Sequence, residues 1–190
     1  MGNALIALLQ TGRTLTAAEE QLILSAFTER EARRDEVLFP GDKVCRTLFF
    51  IDSGVLRLGR TDDKGNDITY FFLKEGQFCT ILKSFQDGII AEEQIIAASE
   101  VRLRSVTRIA LDTLYEQLPW LRHTLEQLLQ RQLMEKIDLR NRFLERDAPG
   151  NYQALLEQVP GILLHVSLKD IASYLGITPQ SLSRLRKNLL

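Results

Sequence analysis

Four side chains near the C-terminus, Gln180, Ser181, Arg184 and Lys187, are of types that meet DNA base edges and phosphates, and their spacing gathers them on one side of a helix. Glutamine and arginine can each pair bidentately with a purine, while serine and lysine suit phosphate oxygens. Thr178-Pro179 just before them is an N-cap followed by proline at the first helical position, a sharp local start signal. Leu182, Leu185 and Leu189 fall on the other side and are expected to face inward. Upstream, Ser167 can cap a shorter helix with Asp170 in the position of a capping-box acid, and Leu168, Ile171, Ala172 and Leu175 give that helix one apolar face. Gly176 supplies the turn between the two helices, and Ile177 plugs the angle. This is the grammar of a helix-turn-helix whose second helix enters a major groove. A plain surface helix pair with a solvated polar face is the competing reading. The cap, the proline and the small polar first turn favour DNA. The expected contacts are Thr178, Gln180, Ser181, Arg184, Arg186 and Lys187, with Gln180 and Arg184 on base edges and Ser181, Arg186 and Lys187 on phosphates.

The charge distribution fits a protein that touches nucleic acid at one end. Residues 161–190 hold Lys169, Arg184, Arg186 and Lys187 against Asp170, a net of +3, which leaves −4 on the remainder of a chain whose net charge is −1. No apolar run approaches the roughly 18–20 residues of a membrane span. The N-terminus lacks the basic stretch of a secretion signal, and Met1-Gly2 is a poor acylation signal because residue 6 is Ile6. Cys45 and Cys79 make neither a disulfide framework nor a metal knuckle, so a cytoplasmic protein without a metal is expected.

The elements that must carry the reading helix fall into four stretches. Residues 1–30 read as helical, with a capping box at Thr16-Ala-Ala-Glu19 opening a helix through Phe27. Residues 34–108 change period: short alternating runs at 36–39, 47–52, 55–58, 67–73, 94–97 and 101–106 are separated by Gly/Asp turns, the pattern of an antiparallel sandwich or roll. From Ala110 the helical period returns, and Pro119 opens a helix running to about Leu144. Its apolar positions spread over about half its circumference, so one face can cover the roll while an adjoining one meets a second copy. Leu121, Leu125, Leu128 and Gln132 are taken as that dimer face. Asp147-Ala-Pro-Gly-Asn151 reads as a break and a domain boundary, with one more short helix at 152–158 before the helix-turn-helix.

In that order of elements the chain resembles the Crp/Fnr superfamily of bacterial transcription regulators. The residues that carry the resemblance are Leu48-Phe-Phe-Ile-Asp-Ser-Gly-Val-Leu-Arg-Leu58, the turn with Asp63-Lys-Gly65, Phe72 followed by Glu75-Gly-Gln-Phe78, and Ile171-Ala-Ser-Tyr-Leu-Gly-Ile-Thr-Pro-Gln-Ser-Leu-Ser-Arg184. The last of these is similar to a branch common in Bacteroidetes-type genomes. The resemblance implies an α+β protein: a jelly-roll-like antiparallel β-roll sensor with N-terminal helices (1–118), a dimerisation helix (119–146) and a small helix-turn-helix domain (147–190). It also implies a homodimer on a palindromic operator, RNA polymerase as a further partner, and a small-molecule effector.

Departures from the family pattern bear on the effector. In relatives that bind cAMP, an acid after the Gly-x-Phe turn holds the ribose and an Arg-Ser pair further on binds the cyclic phosphate. Here Ile81 falls at the acid, Ile89-Ile90 fall near the Arg-Ser, and no arginine lies between Arg60 and Arg102. The expected pocket residues are Phe72, Phe78, Thr80, Ile81, Lys83, Ser84, Ile89 and Ile90, and a cyclic phosphate among them would be an unpaired charge. The expectation is no cofactor and no cAMP: the pocket either persists for a more apolar effector or is filled. Two cysteines are too few for an iron–sulfur cluster, and a thiol switch at Cys79 is a further idea. His123 and His165 are expected as surface residues rather than ligands. The family's β-hairpin wing has no counterpart after Lys187-Asn-Leu-Leu190, which implies weaker phosphate contact per subunit and more reliance on dimerisation. Two other classes stay open. A cupin-like small-molecule-binding protein or enzyme would need histidines inside the barrel, and none occurs before His123. A protein–protein regulator that has lost DNA binding is the other. No nucleophile–base pair or phosphate loop points to catalysis.

Overall fold

The computed structural model describes residues 3–189, with the side chain of Leu189 excluded. The Met1-Gly2 signal and the inward side chain expected for Leu189 therefore lie outside the described residues. Two helices open the chain, α1 (Ala4–Leu9) and α2 (Ala17–Ala26). The capping box forms as expected: the Thr16 hydroxyl accepts from the Glu19 N–H, and the Glu19 carboxylate accepts from the Thr16 N–H at 2.8 Å. That backbone bond holds the Glu19 carboxyl below its ordinary pKa.

The helix stops at Ala26 with Phe27 as its C-cap, close to the expected end, but the helical reading of residues 28–30 is corrected. Thr28–Ala32 is strand β1, paired antiparallel with β10, and only Ala32 of its five residues is buried. Nothing local marks this segment as a strand, because its partner lies about seventy residues away. The remaining strands are β2 (Val37–Phe39), β3 (Lys43–Val44), β4 (Thr47–Ser53), β5 (Val55–Thr61), β6 (Asp67–Lys74), β7 (Phe78–Cys79), β8 (Ile90–Ala91), β9 (Gln94–Ala97) and β10 (Val101–Thr107), with helix α3 (Leu82–Asp87) after β7. They form two four-stranded sheets, β1-β10-β4-β7 and β2-β9-β5-β6, and a small pair β3-β8. Neighbouring strands in these sheets pair antiparallel, so this is the roll implied by the alternating runs. Gly54 makes the β4–β5 turn at φ +92°, and a Cβ there would stand 2.3 Å from the Glu100 carbonyl, so only glycine fits.

Helix α4 (Arg108–Gln117) leads into α5 (Pro119–Glu145), the long helix. Leu121, Leu125 and Leu128 are 0%, 1% and 9% exposed, buried in one core with α1, α2, α4 and Phe50 and Phe78 of the roll. This corrects the expected dimer face: those leucines are spent within their own protomer. Gln132 continues the same inward line. With its amide oriented to satisfy both groups, it donates to the Phe78 carbonyl and accepts from the Phe78 N–H, each at 3.1 Å. The exposed apolar surface of α5 is a second stripe, Leu133, Met134, Ile137 and Leu144, set about 100° or more round the helix from the first.

The expected break at 147–151 is also different in kind. Asp147 caps α6 (Ala148–Gln158), accepting from the Gly150 N–H at 2.9 Å, so Pro149 and Gly150 sit in a helical first turn. Only Arg146 and Asp147 separate α5 from α6. The chain ends in α7 (Ile162–His165), α8 (Leu168–Tyr174) and α9 (Pro179–Leu189). No helix of the described residues is long and apolar enough to cross a membrane.

Candidate nucleic-acid interface and effector cleft

Helices α8 and α9 are built by their own ends. The Ser167 hydroxyl accepts from the Asp170 N–H at 3.1 Å and donates to its carboxylate at 2.8 Å. At the other end of α8, Gly176 adopts φ +67°, its N–H donates to the Ser173 carbonyl, and the Ile177 N–H donates to the Ala172 carbonyl at 3.0 Å. Those two bonds close a left-handed helix stop that aims the chain into α9. Thr178 then caps α9, its hydroxyl accepting from the Ser181 N–H at 3.1 Å. Leu182 is fully buried, with Ile177 and Leu185 packed beside it.

That anchoring leaves Thr178, Gln180, Ser181, Arg184 and Lys187 exposed, while Arg186 is half-buried on the flank of the helix. Ser183 and Asn188 share the exposed face and escaped the sequence reading. Stepping about 100° per residue places both within a right angle of Gln180. The Ser181 hydroxyl lies 3.0 Å from that of Thr178, so it serves the cap first. Among the described residues Arg184 and Lys187 have no ion-pair partner, so their charge is available to a ligand.

The helix pair is seated on the roll. The Ser173 hydroxyl donates to the Asp67 carbonyl of β6, Lys169 Nζ meets Asp67 Oδ2 at 3.2 Å, and Arg57 of β5 lies 3.5 Å from Asp170. The ring of Tyr174 packs against Phe72 of β6 at 5.1 Å and Phe143 of α5 at 5.2 Å.

The expected effector residues do not all meet. Ile81, Lys83, Ser84, Ile89 and Ile90 line one open cleft of about 220 Å³, together with Ala91, Glu92 and Glu93. Phe72 does not belong to it, since it faces Tyr174 under α8. Phe78 packs against Phe50 with tilted rings 5.2 Å apart in the core beneath α5. Thr80 is buried, and its hydroxyl donates to the Thr47 carbonyl at 2.9 Å. Strand pairing and core formation, not a ligand, account for all three. Ser84 lines the cleft wall but is 1% exposed, and its hydroxyl is committed: it donates to the Ile89 carbonyl and accepts from the Cys45 N–H. The charges in the cleft are one ammonium, Lys83, and two carboxylates, of which Glu92 already meets Arg60 at 3.2 Å. Such a lining offers a phosphate no arginine of its own, and Arg60 beside it is already paired. Burial pushes the Cys79 thiol up to about 12, which removes the reactive thiolate that the redox idea needs. His123 and His165 are exposed.

Comparison with known proteins agrees with this architecture. A family profile described as Cyclic nucleotide-binding domain matches residues 29–118. The chain is 27% identical over 176 residues to the Cyclic AMP receptor protein of Thermus thermophilus, covering 90% of this chain and 81% of the relative. Among solved structures it is similar to the Thermus thermophilus Catabolite Activator Protein, with a TM-score of 0.57 at 26% identity over 96% of this chain and 86% of that one. FixK2 from Bradyrhizobium japonicum shares the fold at a TM-score of 0.72 and 20% identity, covering 86% of this chain and 84% of that one. Residues 29–118 thus match the cyclic nucleotide-binding domain, and the chain is similar over most of its length to the cyclic AMP receptor protein and catabolite activator protein of Thermus thermophilus.

Proposed function

We propose that this protein is a DNA-binding transcription regulator that works as a homodimer in the cytoplasm and catalyses no reaction. Residues 1–118 form its sensor roll, 119–146 its dimer helix and 147–190 its reading head. The observation that carries the reading is the exposed face of α9, where Gln180, Arg184 and Lys187 project from a helix held by its own cap and by Leu182. Two protomers joined along α5 would present two such helices related by a two-fold axis. Their operator is then an inverted repeat with half-sites about 34 Å apart. The contact between protomers uses Leu133, Met134 and Ile137 in place of the leucines first expected. The relative from Thermus is named for cyclic AMP; this chain does not take that ligand, because its cleft has no arginine and holds Glu92 and Glu93.

The test is selection of duplexes from a random library by the purified full chain. Enrichment of an inverted repeat, lost in Arg184→Ala, supports the reading. Failure to enrich any sequence, with the protein folded and dimeric, overturns it and leaves the protein–protein regulator in its place.

A further inference from the structure

β6 is the outer strand of its sheet, so one row of its backbone groups faces away from β5. The Ser173 hydroxyl fills two of them at once, donating to the Asp67 carbonyl at 2.8 Å and accepting from the Thr69 N–H at 3.0 Å. One side chain of α8 thus stands where a neighbouring strand would. Beneath it the contact is apolar: Val55, Phe72 and Ala98 of the roll are buried in the same cluster as Leu155, Ile171, Ala172 and Leu182. Further out, Lys74 Nζ donates to the Gln158 carbonyl at 2.6 Å, and Arg34 donates to the His165 carbonyl. Units that swing meet through modest polar interfaces that part in water. Here the two share a core.

We propose that the roll holds the reading head as one rigid body with no effector bound, and that Arg57 sets the seating of α8 on β6. Arg57 and Asp170 are 7% and 5% exposed, and the guanidinium lies 3.5 Å from Asp170 and 3.8 Å from Asp67. Its Nε and the nearby Thr69 Oγ1 are buried without hydrogen-bond partners. A buried pair with such orphans adds little net stability. What it supplies is a choice of register: shifting α8 by one turn would move Asp170 away and leave the buried guanidinium with Asp67 alone, at 3.8 Å. In the observed seating the face of α9 stays exposed, so the head is held in a reading position. That last consequence rests on the proposed DNA binding; the rigidity does not.

Amide hydrogen exchange of the full-length protein, followed by NMR at Thr69 and Phe50 without DNA, tests the seating. The expected result is that Thr69 exchanges within about tenfold of Phe50 in the β4 core, unchanged by 1 mM cAMP. Arg57→Met should speed Thr69 by about tenfold or more while leaving Phe50 protected. Wild-type exchange at Thr69 near the rate of open backbone, or a change on adding cAMP, overturns the rigid seating. Unchanged protection at Thr69 in Arg57→Met overturns the role of Arg57. If the variant does not fold, the wild-type measurement still decides the first point, and Asp170→Asn, with the same expected effect at Thr69, decides the second. A protein that passes these tests and selects no duplex would refute DNA binding alone.

Discussion

Replacing Ile137 by aspartate should break the proposed dimer without unfolding the protomer. Leu133, Met134 and Ile137 keep 42%, 57% and 43% of their surface exposed on the outer stripe of α5. Full burial of such a side chain is worth about 1.5–3 kcal/mol, so covering the open part of Ile137 contributes about 1 kcal/mol. A two-fold interface counts each substitution twice, giving about 2 kcal/mol lost per dimer. That alone weakens the dissociation constant by about thirtyfold, and desolvating two facing carboxylates adds to it. Sedimentation velocity across a concentration series reads the shift, and a thermal melt by circular dichroism confirms that the monomer is folded. Leu125→Asp is the contrasting variant. Leu125 is 1% exposed inside the core shared by α2, α4 and the roll, so this change should unfold the protein rather than separate two folded copies. An Ile137→Asp protein as dimeric as the wild type, or a folded monomer from Leu125→Asp with an unchanged melt, would refute the assignment of faces.

On a selected duplex, Arg184→Ala should cost about 1–3 kcal/mol and relax preference at one base pair per half-site, whereas Lys187→Ala should weaken all sequences alike and lower the salt slope; equal behaviour of the two variants would count against α9 as the reader. A ligand at a hundred times its Kd adds about 2.7 kcal/mol of stability, so cAMP at 1 mM binding with a Kd near 10 μM would raise Tm by about 5–10 °C. The expected shift in a fluorescence melt is below about 1 °C, and a rise of that larger size would restore cAMP as effector. Burial lowers the pKa of Lys136, whose ammonium sits 5.4 Å from the Phe71 ring. Between the lowered folded value and the ordinary unfolded one the unfolded chain holds the extra proton, so this group makes stability rise as pH climbs through that window. Lys136→Met should therefore be more stable at pH 7 and lose that rise in alkaline melts; a less stable variant at pH 7 would contradict the desolvation argument.

The helix pair α8–α9 was legible because its signals are local. Ser167, Gly176 and Thr178-Pro179 act within three or four residues of themselves, and each does in the structure what its type and place imply. The longer strands were legible from alternation, while β1, β3, β7 and β8 were not, being two to five residues whose identity comes from a partner far along the chain. Pro149-Gly150 was misread because proline marks both the end of one helix and the first turn of the next, and the cap from Asp147 decides for the latter. The faces of α5 needed a fact that periodicity lacks. Two apolar stripes are visible in the sequence, but only the position of the roll says that Leu121, Leu125 and Leu128 turn inward. Phe72, Phe78 and Thr80 were placed in a pocket by analogy with relatives, whereas each meets a residue of its own chain, Tyr174, Phe50 and Thr47.

The seal that Ser173 makes along β6 has a consequence for any shortened form of the chain. A fragment ending at Glu145 would lose both α8 and the apolar cluster above Phe72, leaving the Asp67 carbonyl and Thr69 N–H bare beside an uncovered aromatic ring. An open strand flanked by exposed apolar surface is a template for another chain, and copies of such a fragment would pair edge to edge. The head is therefore also the roll's guard against aggregation. Nonsense changes that remove it should yield insoluble protein cleared by the cell, not a free roll.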